Sequence, residues 1–310
     1  MEHLTSGTLN GIWCSIQIPF NQNDTIDFAS LQTEINILTN SSLSGLYSNG
    51  TAGEFFNQTE LEFDQISEMF ASSCHQANIP FQIGASHMSP VISLERIKRT
   101  KALQPSAFQI IYPDWLTLNY DEQLSFLDGI IEAADPIPVV LYNAGHSKTV
   151  LNPCGFKKLS EEFPQLIGIK VVDGGPEWYK EMREMDLEVA VFTPGHRLAT
   201  GIKEGVSTGS YSNIACLDPE AAQIWYDIIL SDIDEGLRIE TKVLEFLNKC
   251  ILPFSKKGYS DAALDKFLWS LSGRDTTDTK LRWPYKGIDR EYLGEIRKYG
   301  RKILPQFFNI

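Results

Sequence analysis

The sequence predicts an α/β protein, a (β/α)8 TIM barrel followed by a C-terminal helical appendage. Eight short apolar runs occur along the chain, and longer stretches with the pattern of amphipathic helices lie between them. The chain has 310 residues, more than the roughly 250 residues typical of such a barrel. The extra length leaves room for helices after the last strand.

The eight apolar runs are predicted to be the strands of a parallel sheet. They lack the alternation of apolar and polar residues that a half-exposed sheet shows, so both faces should be buried. An open, doubly wound sheet is the competing arrangement, but no GxGxxG motif follows the first strand. The predicted strands span residues 11–18, 45–48, 81–85, 107–111, 139–142, 166–171, 189–192 and 205–210.

The stretches between the strands are predicted to be helices. The clearest starts at Thr59, where a threonine followed by Glu60 and Glu62 is typical of a helix N-terminus. The others span 27–39, 93–103, 121–134, 153–163, 177–185 and 219–230. After about residue 232 helical stretches continue without strands, at 234–248, 259–271 and 290–303. The sequence therefore predicts a barrel domain at 1–232 and a helical domain at 233–310.

Composition limits the class of partner. The formal net charge of −13 argues against binding to a nucleic-acid backbone. No apolar stretch approaches the roughly 18 residues of a membrane helix, and we expect no signal peptide at the N-terminus. The five cysteines are widely scattered without CxxC spacing, which indicates reduced thiols in a cytoplasmic protein. No metal-ligand motif occurs, so neither a metal nor an organic cofactor is expected.

Lys170 is the sharpest candidate for chemistry. It lies in LIGIKVVDGG, at the end of the sixth predicted strand, and in a barrel of this kind active sites lie at the C-terminal ends of the strands. Burial would lower the pKa of the amine and make it a nucleophile toward ketones. The alternative is a lysine whose side chain reaches solvent, and the pattern alone leaves the two interpretations about equal.

Two further segments lie at the same predicted edge. Tyr142 ends VVLYN, one strand earlier, and its phenol is a candidate proton shuttle, although an aromatic packing role is the more common one. The glycine-rich turn NGTAGEF follows the second strand, and consecutive backbone N–H groups in such a turn can hold a carboxylate. Alone, the turn is also consistent with a plain tight connection.

Taken together and in this order, GLYSNGTAGEF, VVLYN and IGIKVVDG resemble the dihydrodipicolinate synthase / N-acetylneuraminate lyase family. These proteins are class I, lysine Schiff-base aldolases and dehydratases on a (β/α)8 barrel with C-terminal helices. The resemblance implies an imine between Lys170 and a pyruvate-like 2-oxo acid, proton transfer by Tyr142, and a relay hydroxyl on Thr51. It further implies that Gly50, Thr51 and Ala52 frame the carboxylate pocket and that Gly195 borders the pyruvate site.

The sequence also departs from the family pattern. Ala52 replaces the second threonine of the turn, and Trp115 stands where the synthase has a tyrosine. Gly145 replaces the proline of Y-N-x-P, and His146 follows it in place of a nearby arginine. These differences argue against a true dihydrodipicolinate synthase. Trp115 and His146 are instead expected to contribute to binding of a different substrate, although a solvent-facing loop residue is an equally good interpretation of His146.

The sequence thus predicts a class I lyase that acts on pyruvate or a longer 2-oxo acid, without a cofactor. The reaction is either aldol cleavage or condensation, or dehydration of a 2-oxo sugar acid, and the sequence leaves both open. The alternative is an inactive relative that binds such an acid as a sensor. A homodimer or homotetramer is expected from the resemblance.

Overall fold

The computed structural model describes residues 2–143, 145, 147–274 and 276–308. Eight parallel strands pair in chain order, and the first strand pairs with the eighth to close a barrel. This confirms the predicted (β/α)8 fold. The strands are β1 Gly11–Ser15, β2 Gly45–Ser48, β3 Phe81–Gly84, β4 Ala107–Ile110, β5 Val139–Tyr142, β6 Leu166–Lys170, β7 Ala190–Phe192 and β8 Gly209–Tyr211.

Helices follow the strands, and a group of helices ends the chain. Those up to the end of the barrel are α1 Phe28–Thr39, α2 Glu60–Ala77, α3 Pro90–Thr100, α4 Tyr120–Ala134, α5 Pro153–Glu162, α6 Pro176–Met185, α7 Leu198–Lys203, α8 Ile214–Leu217 and α9 Pro219–Ser231. The C-terminal group is α10 Ile233–Cys250, α11 Leu252–Lys256, α12 Asp261–Leu271 and α13 Leu293–Ile303. None of the helices in the described ranges combines the length and apolar character needed to cross a bilayer.

Helix starts follow the expected capping chemistry. Thr59 caps α2 by accepting a hydrogen bond from the backbone N–H of Glu62, whose carboxylate accepts one from the Thr59 backbone N–H. This reciprocal pair satisfies N–H groups that the first turn leaves without a partner. Asn119 and Glu122 cap α4 in the same way. The helix predicted from Thr59 and its acidic neighbours is therefore present, and it starts within one residue of the prediction.

The eighth strand differs from its prediction. It spans Gly209–Tyr211 rather than 205–210, because residues before it form a turn back toward α7. Gly205 has a φ of +70°, and the backbone N–H groups of Val206 and Ser207 both donate to the Gly201 carbonyl. The short helices α7 and α8 were not predicted, since six and four residues are too few to show a helical period.

Two groups of apolar side chains fill the molecule. One lies inside the barrel, where Trp13, Tyr47, Phe192 and Tyr211 from four different strands pack against one another. The larger group lies between the strands and the surrounding helices, and it continues without interruption into α10, α12 and α13. The division into domains at residue 232 therefore stays a prediction, because the barrel and the C-terminal helices share this core.

Candidate active site

Lys170 ends β6, and its side chain enters a cavity at the C-terminal ends of the strands. Three tyrosine rings surround the amine. Its Nζ lies 3.9 Å from the ring centroid of Tyr142, 5.1 Å from that of Tyr47 and 5.2 Å from that of Tyr211. Within the described ranges, Lys170 forms no hydrogen bond or ion pair with another side chain. Lys170 is therefore a half-buried residue whose amine is surrounded by aromatic faces rather than by a paired carboxylate.

This environment changes the acidity of the amine. Burial lowers the pKa of Lys170 to about 8, and the negative charges of Asp265 and Asp261 only partly oppose that effect. At pH 7 about one amine in ten is then neutral, compared with about one in three thousand for a lysine of ordinary pKa. A larger fraction of the Lys170 amine is therefore in the neutral form, which is the form that attacks a carbonyl.

The cavity has a volume of about 470 Å3 and brings together most of the predicted site residues. Thr51, Ala52, Tyr142, Lys170 and Gly195 all line it. Gly50 lies behind this lining, against Tyr47, since a Cβ built on Gly50 would be 2.7 Å from Tyr47 Cε2. A side chain at position 50 would thus displace one of the three rings around the lysine.

The two remaining predicted substrate contacts are Trp115 and His146. Trp115 is 69 % exposed, and its ring packs beside Lys148, with 5.0 Å between Lys148 Nζ and the ring centroid. It does not line the described cavity. His146 lies outside the described residues. The roles of Trp115 and His146 in substrate binding stay predictions.

Of the three tyrosine rings, that of Tyr142 is nearest to the Lys170 amine, because Tyr142 is the cross-strand partner of Lys170 in the pairing of β5 with β6. Burial raises the pKa of Tyr142 to about 12, an effect that the neighbouring Thr51 hydroxyl partly offsets. The phenol is therefore protonated at neutral pH and can donate a proton toward a group bound to Lys170.

The NGTAGEF turn connects β2 to the cavity lining and is joined to α12. Asn49 and Glu54, at its two ends, adopt left-handed backbone conformations with φ of 53° and 51°. Glu54 is fully buried and forms an ion pair with the buried Lys266 of α12. No hydrogen bond from the backbone N–H groups of Thr51 and Ala52 to another described residue is found. Since Thr51 and Ala52 also line the cavity, their N–H groups are candidates for binding a carboxylate.

Several residues that line the site were not predicted from the sequence. Tyr47 and Tyr211 lie within strands, where an aromatic residue normally signals packing; the Tyr211 hydroxyl donates to Gln82 Oε1 at 2.8 Å. Asp261 and Asp265 come from α12, more than 90 positions after Lys170 in the chain. Their spacing of four residues predicts a shared helix face, but only the folded chain shows which helix covers the barrel.

The fold is a closed (β/α)8 barrel, and a lysine amine lies in a cavity at the C-terminal ends of its strands. The chain belongs to the dihydrodipicolinate synthetase family, whose model matches residues 8–298. The family predicted from the three motifs is thereby confirmed, and the protein is a lyase of the class I aldolase type.

Individual relatives are distant but match over nearly the full length. An N-acetylneuraminate lyase of Escherichia coli (strain SE11) is 21 % identical over 301 residues, covering 96 % of this chain and 98 % of the relative. The pyruvate complex of YagE, a prophage protein of the dihydrodipicolinic acid synthase family from E. coli K12, superposes with a TM-score of 0.83 at 16 % identity, covering 95 % and 98 % of the two chains. CdNal from Clostridium difficile, in complex with mannosamine, gives a TM-score of 0.82 at 18 % identity, covering 96 % and 99 %. At these identities the solved structures show a shared fold.

Proposed function

We propose that the protein is a class I lyase that binds pyruvate or a longer 2-oxo acid as an imine on Lys170. The observation that carries this proposal is the buried amine among three tyrosine rings, with a pKa lowered to about 8. Binding of pyruvate by the structural relative YagE is consistent with it.

The proposed reaction starts with attack of the neutral Lys170 amine on the C2 carbonyl of the 2-oxo acid. The carbinolamine then loses water, and Tyr142 supplies the proton that the departing hydroxyl needs. The resulting iminium accepts the electron pair of a bond broken at C3. In aldol cleavage the Tyr142 phenolate takes the proton of the C4 hydroxyl, C3–C4 breaks to give an aldehyde and an enamine, and the enamine is protonated at C3 and hydrolysed to pyruvate. In dehydration the phenolate takes a C3 proton instead and returns it to the C4 hydroxyl, which leaves as water before the imine is hydrolysed. The backbone N–H groups of Thr51 and Ala52 hold the substrate carboxylate meanwhile.

Ala52 separates this site from that of a true dihydrodipicolinate synthase. A threonine here would donate its hydroxyl to the carboxylate, and a hydrogen bond to a charged group is worth roughly 1.5–3 kcal/mol. The protein is therefore expected to bind pyruvate itself more weakly. A substrate with a longer chain can recover this binding energy from contacts elsewhere in the cavity, which favours a longer 2-oxo acid. Aldol cleavage and dehydration of such an acid both remain consistent with the site.

The test is consumption of 2-oxo-3-deoxy sugar acids by the purified protein. Pyruvate release, followed with lactate dehydrogenase and NADH, reports aldol cleavage, and mass spectrometry of the mixture reports dehydration. Lys170→Met, which has a similar shape without the amine, is the matched control and should be inactive in both assays. Binding of these acids without consumption of any of them would contradict catalysis. It would support the alternative of a sensor, which the loss of the threonine hydroxyl at Ala52 motivates.

We further propose that the protein forms a homodimer or homotetramer in the cytoplasm. Trp115 and Leu116 are about 70 % exposed in the segment between β4 and α4, and large apolar side chains exposed together are typical of protein interfaces. Light scattering coupled to size-exclusion chromatography measures the assembly directly, and a monomer at micromolar concentration would contradict the proposed oligomer.

A further inference from the structure

One wall of the cavity comes from the C-terminal helix α12 rather than from the barrel. Asp261, Leu264, Asp265 and Leu268 all line the cavity. Their spacing of three and four residues places them on one face of the helix. Two apolar and two acidic side chains of α12 therefore face the space into which a ligand attached to Lys170 would extend.

The position of this wall is fixed by a buried ion pair. Lys266, next to Asp265 on α12, is fully buried and paired with Glu54 of the NGTAGEF turn. Its amine also donates to the carbonyl groups of Ile18, at 2.8 Å, and of Lys280, at 2.9 Å. These bonds hold α12 against the turn that borders the substrate carboxylate site. Asp265 is consequently held at a defined position relative to Lys170.

Asp265 lines the cavity, and its carboxylate forms no hydrogen bond or ion pair with any residue that the structure describes. Burial raises the pKa of Asp265 to about 7, an effect that Asp261 increases and Lys170 opposes. A carboxyl group of this kind hydrogen-bonds a hydroxyl in either protonation form, as acceptor when charged and as donor or acceptor when neutral.

Few cationic side chains among the described lining residues could bind a second carboxylate on the substrate. Apart from Lys170, the charged cation among its described lining residues is Arg197, whose Nε lies 3.3 Å from the Asp173 carboxylate. Burial lowers the pKa of His196, so that side chain is neutral near pH 7. A substrate chain ending in a carboxylate would meet Asp265 without a second unpaired cation among the described lining residues.

We propose that Asp265 contacts the substrate and binds a hydroxyl group on its chain, so that the α12 wall selects a neutral, hydroxylated 2-oxo acid over one with a second carboxylate. This inference rests on the proposed imine chemistry of Lys170, because that bond places the substrate chain in the cavity.

The test uses two compounds that differ only at the chain end, 2-oxo-3-deoxygluconate and 2-oxo-3-deoxyglucarate. Each competes with carbon-13-labelled pyruvate for borohydride trapping on the protein, and the concentration that halves the labelled adduct in intact-mass spectra reports its affinity. Pyruvate released by cleavage carries no label, so turnover of the competitor does not add to the labelled adduct. We expect the wild type to bind the neutral compound at least tenfold more tightly than the dicarboxylate. Asp265→Leu should weaken binding of the neutral compound at least tenfold, whereas Asp265→Asn should retain part of it and bind the dicarboxylate more tightly.

Glu181→Gln, which removes an exposed carboxylate on α6 away from the cavity, is the control and should keep the wild-type preference. Far-ultraviolet circular dichroism checks that each variant is folded, and the wild-type preference tests the inference even if a variant does not fold. If the wild type traps pyruvate but binds both compounds equally, or prefers the dicarboxylate, this inference alone is overturned. An absence of trapping by the wild type overturns the proposed imine chemistry and this inference with it.

Discussion

Replacing Lys266 by methionine is expected to destabilise the protein strongly, because it leaves Glu54 without a partner in the core. Both side chains of this pair are fully buried. Removing one member of a buried ion pair typically costs about 3–5 kcal/mol, since the other charge stays desolvated. Lys266→Met keeps most of the side-chain volume, so the loss reports mainly on the charge and its hydrogen bonds.

The size of the loss should depend on pH. Burial raises the pKa of Glu54, and without the attraction of Lys266 the pKa rises further. A carboxyl group with a raised pKa in the folded state contributes stability that is fully present below the unfolded pKa of about 4.3 and is lost as pH rises. The loss of stability is therefore expected to be larger at pH 7 than at pH 5.5, by at most about 1.4 kcal/mol per pH unit for this one proton.

Urea unfolding followed by circular dichroism at both pH values measures this effect. The double variant Lys266→Met/Glu54→Gln removes the charge that is left behind and should recover part of the stability at pH 7. Lys98→Met, which breaks an exposed pair with Glu95 on α3, is the matched control and should change stability little. If Lys266→Met lowers the free energy of unfolding by less than about 1 kcal/mol at pH 7, or by the same amount at pH 7 and pH 5.5, the buried charge of Glu54 is not the cause of the destabilisation.

Three further predictions concern the site. The rate of pyruvate trapping should rise between pH 6 and about pH 8 and then level off, because the pKa of Lys170 is lowered to about 8; a rise that continues beyond pH 10 in quenched time courses would contradict this. Tyr142→Phe should slow trapping by about 10²–10⁴-fold without unfolding the protein, as measured by trapping rate and circular dichroism together, and a rate within threefold of wild type would exclude the phenol as proton donor. Gly195→Ala places a Cβ 2.5 Å from Ser212 Oγ, so it should cost about 1–3 kcal/mol in urea unfolding and weaken pyruvate binding; wild-type values in both would show that the cavity wall yields easily.

The sequence predicted those features that local pattern determines. Seven of the eight strands lie within their predicted ranges because buried parallel strands are short and continuously apolar. Lys170 was predicted as a site residue because a cation in such a run is rare. The eighth strand was misplaced since its small and hydroxylated residues, from Gly205 to Ser210, suit a turn as well as a strand.

Other features depend on contacts between distant segments and leave no local signal. Asp265 and Lys266 are adjacent in an ordinary amphipathic helix, yet one faces the cavity and the other pairs with Glu54, 212 positions earlier. Tyr47 reads as a strand residue, and only barrel closure brings its ring to 5.1 Å from Lys170 Nζ. The position of Asp265 and Lys266 depends on the packing of α12 on the barrel, and that of Tyr47 depends on closure of the barrel. The periodicity of apolar residues in the sequence specifies neither.

The most direct test of the central claim is reduction of the protein with borohydride in the presence of pyruvate, followed by intact-mass and peptide mass spectrometry. We expect one covalent pyruvate-derived adduct per chain, located on Lys170 and absent from Lys170→Met. An adduct on another lysine, or no adduct with pyruvate or any longer 2-oxo acid in folded protein, would contradict the assignment of Lys170 as the imine-forming residue.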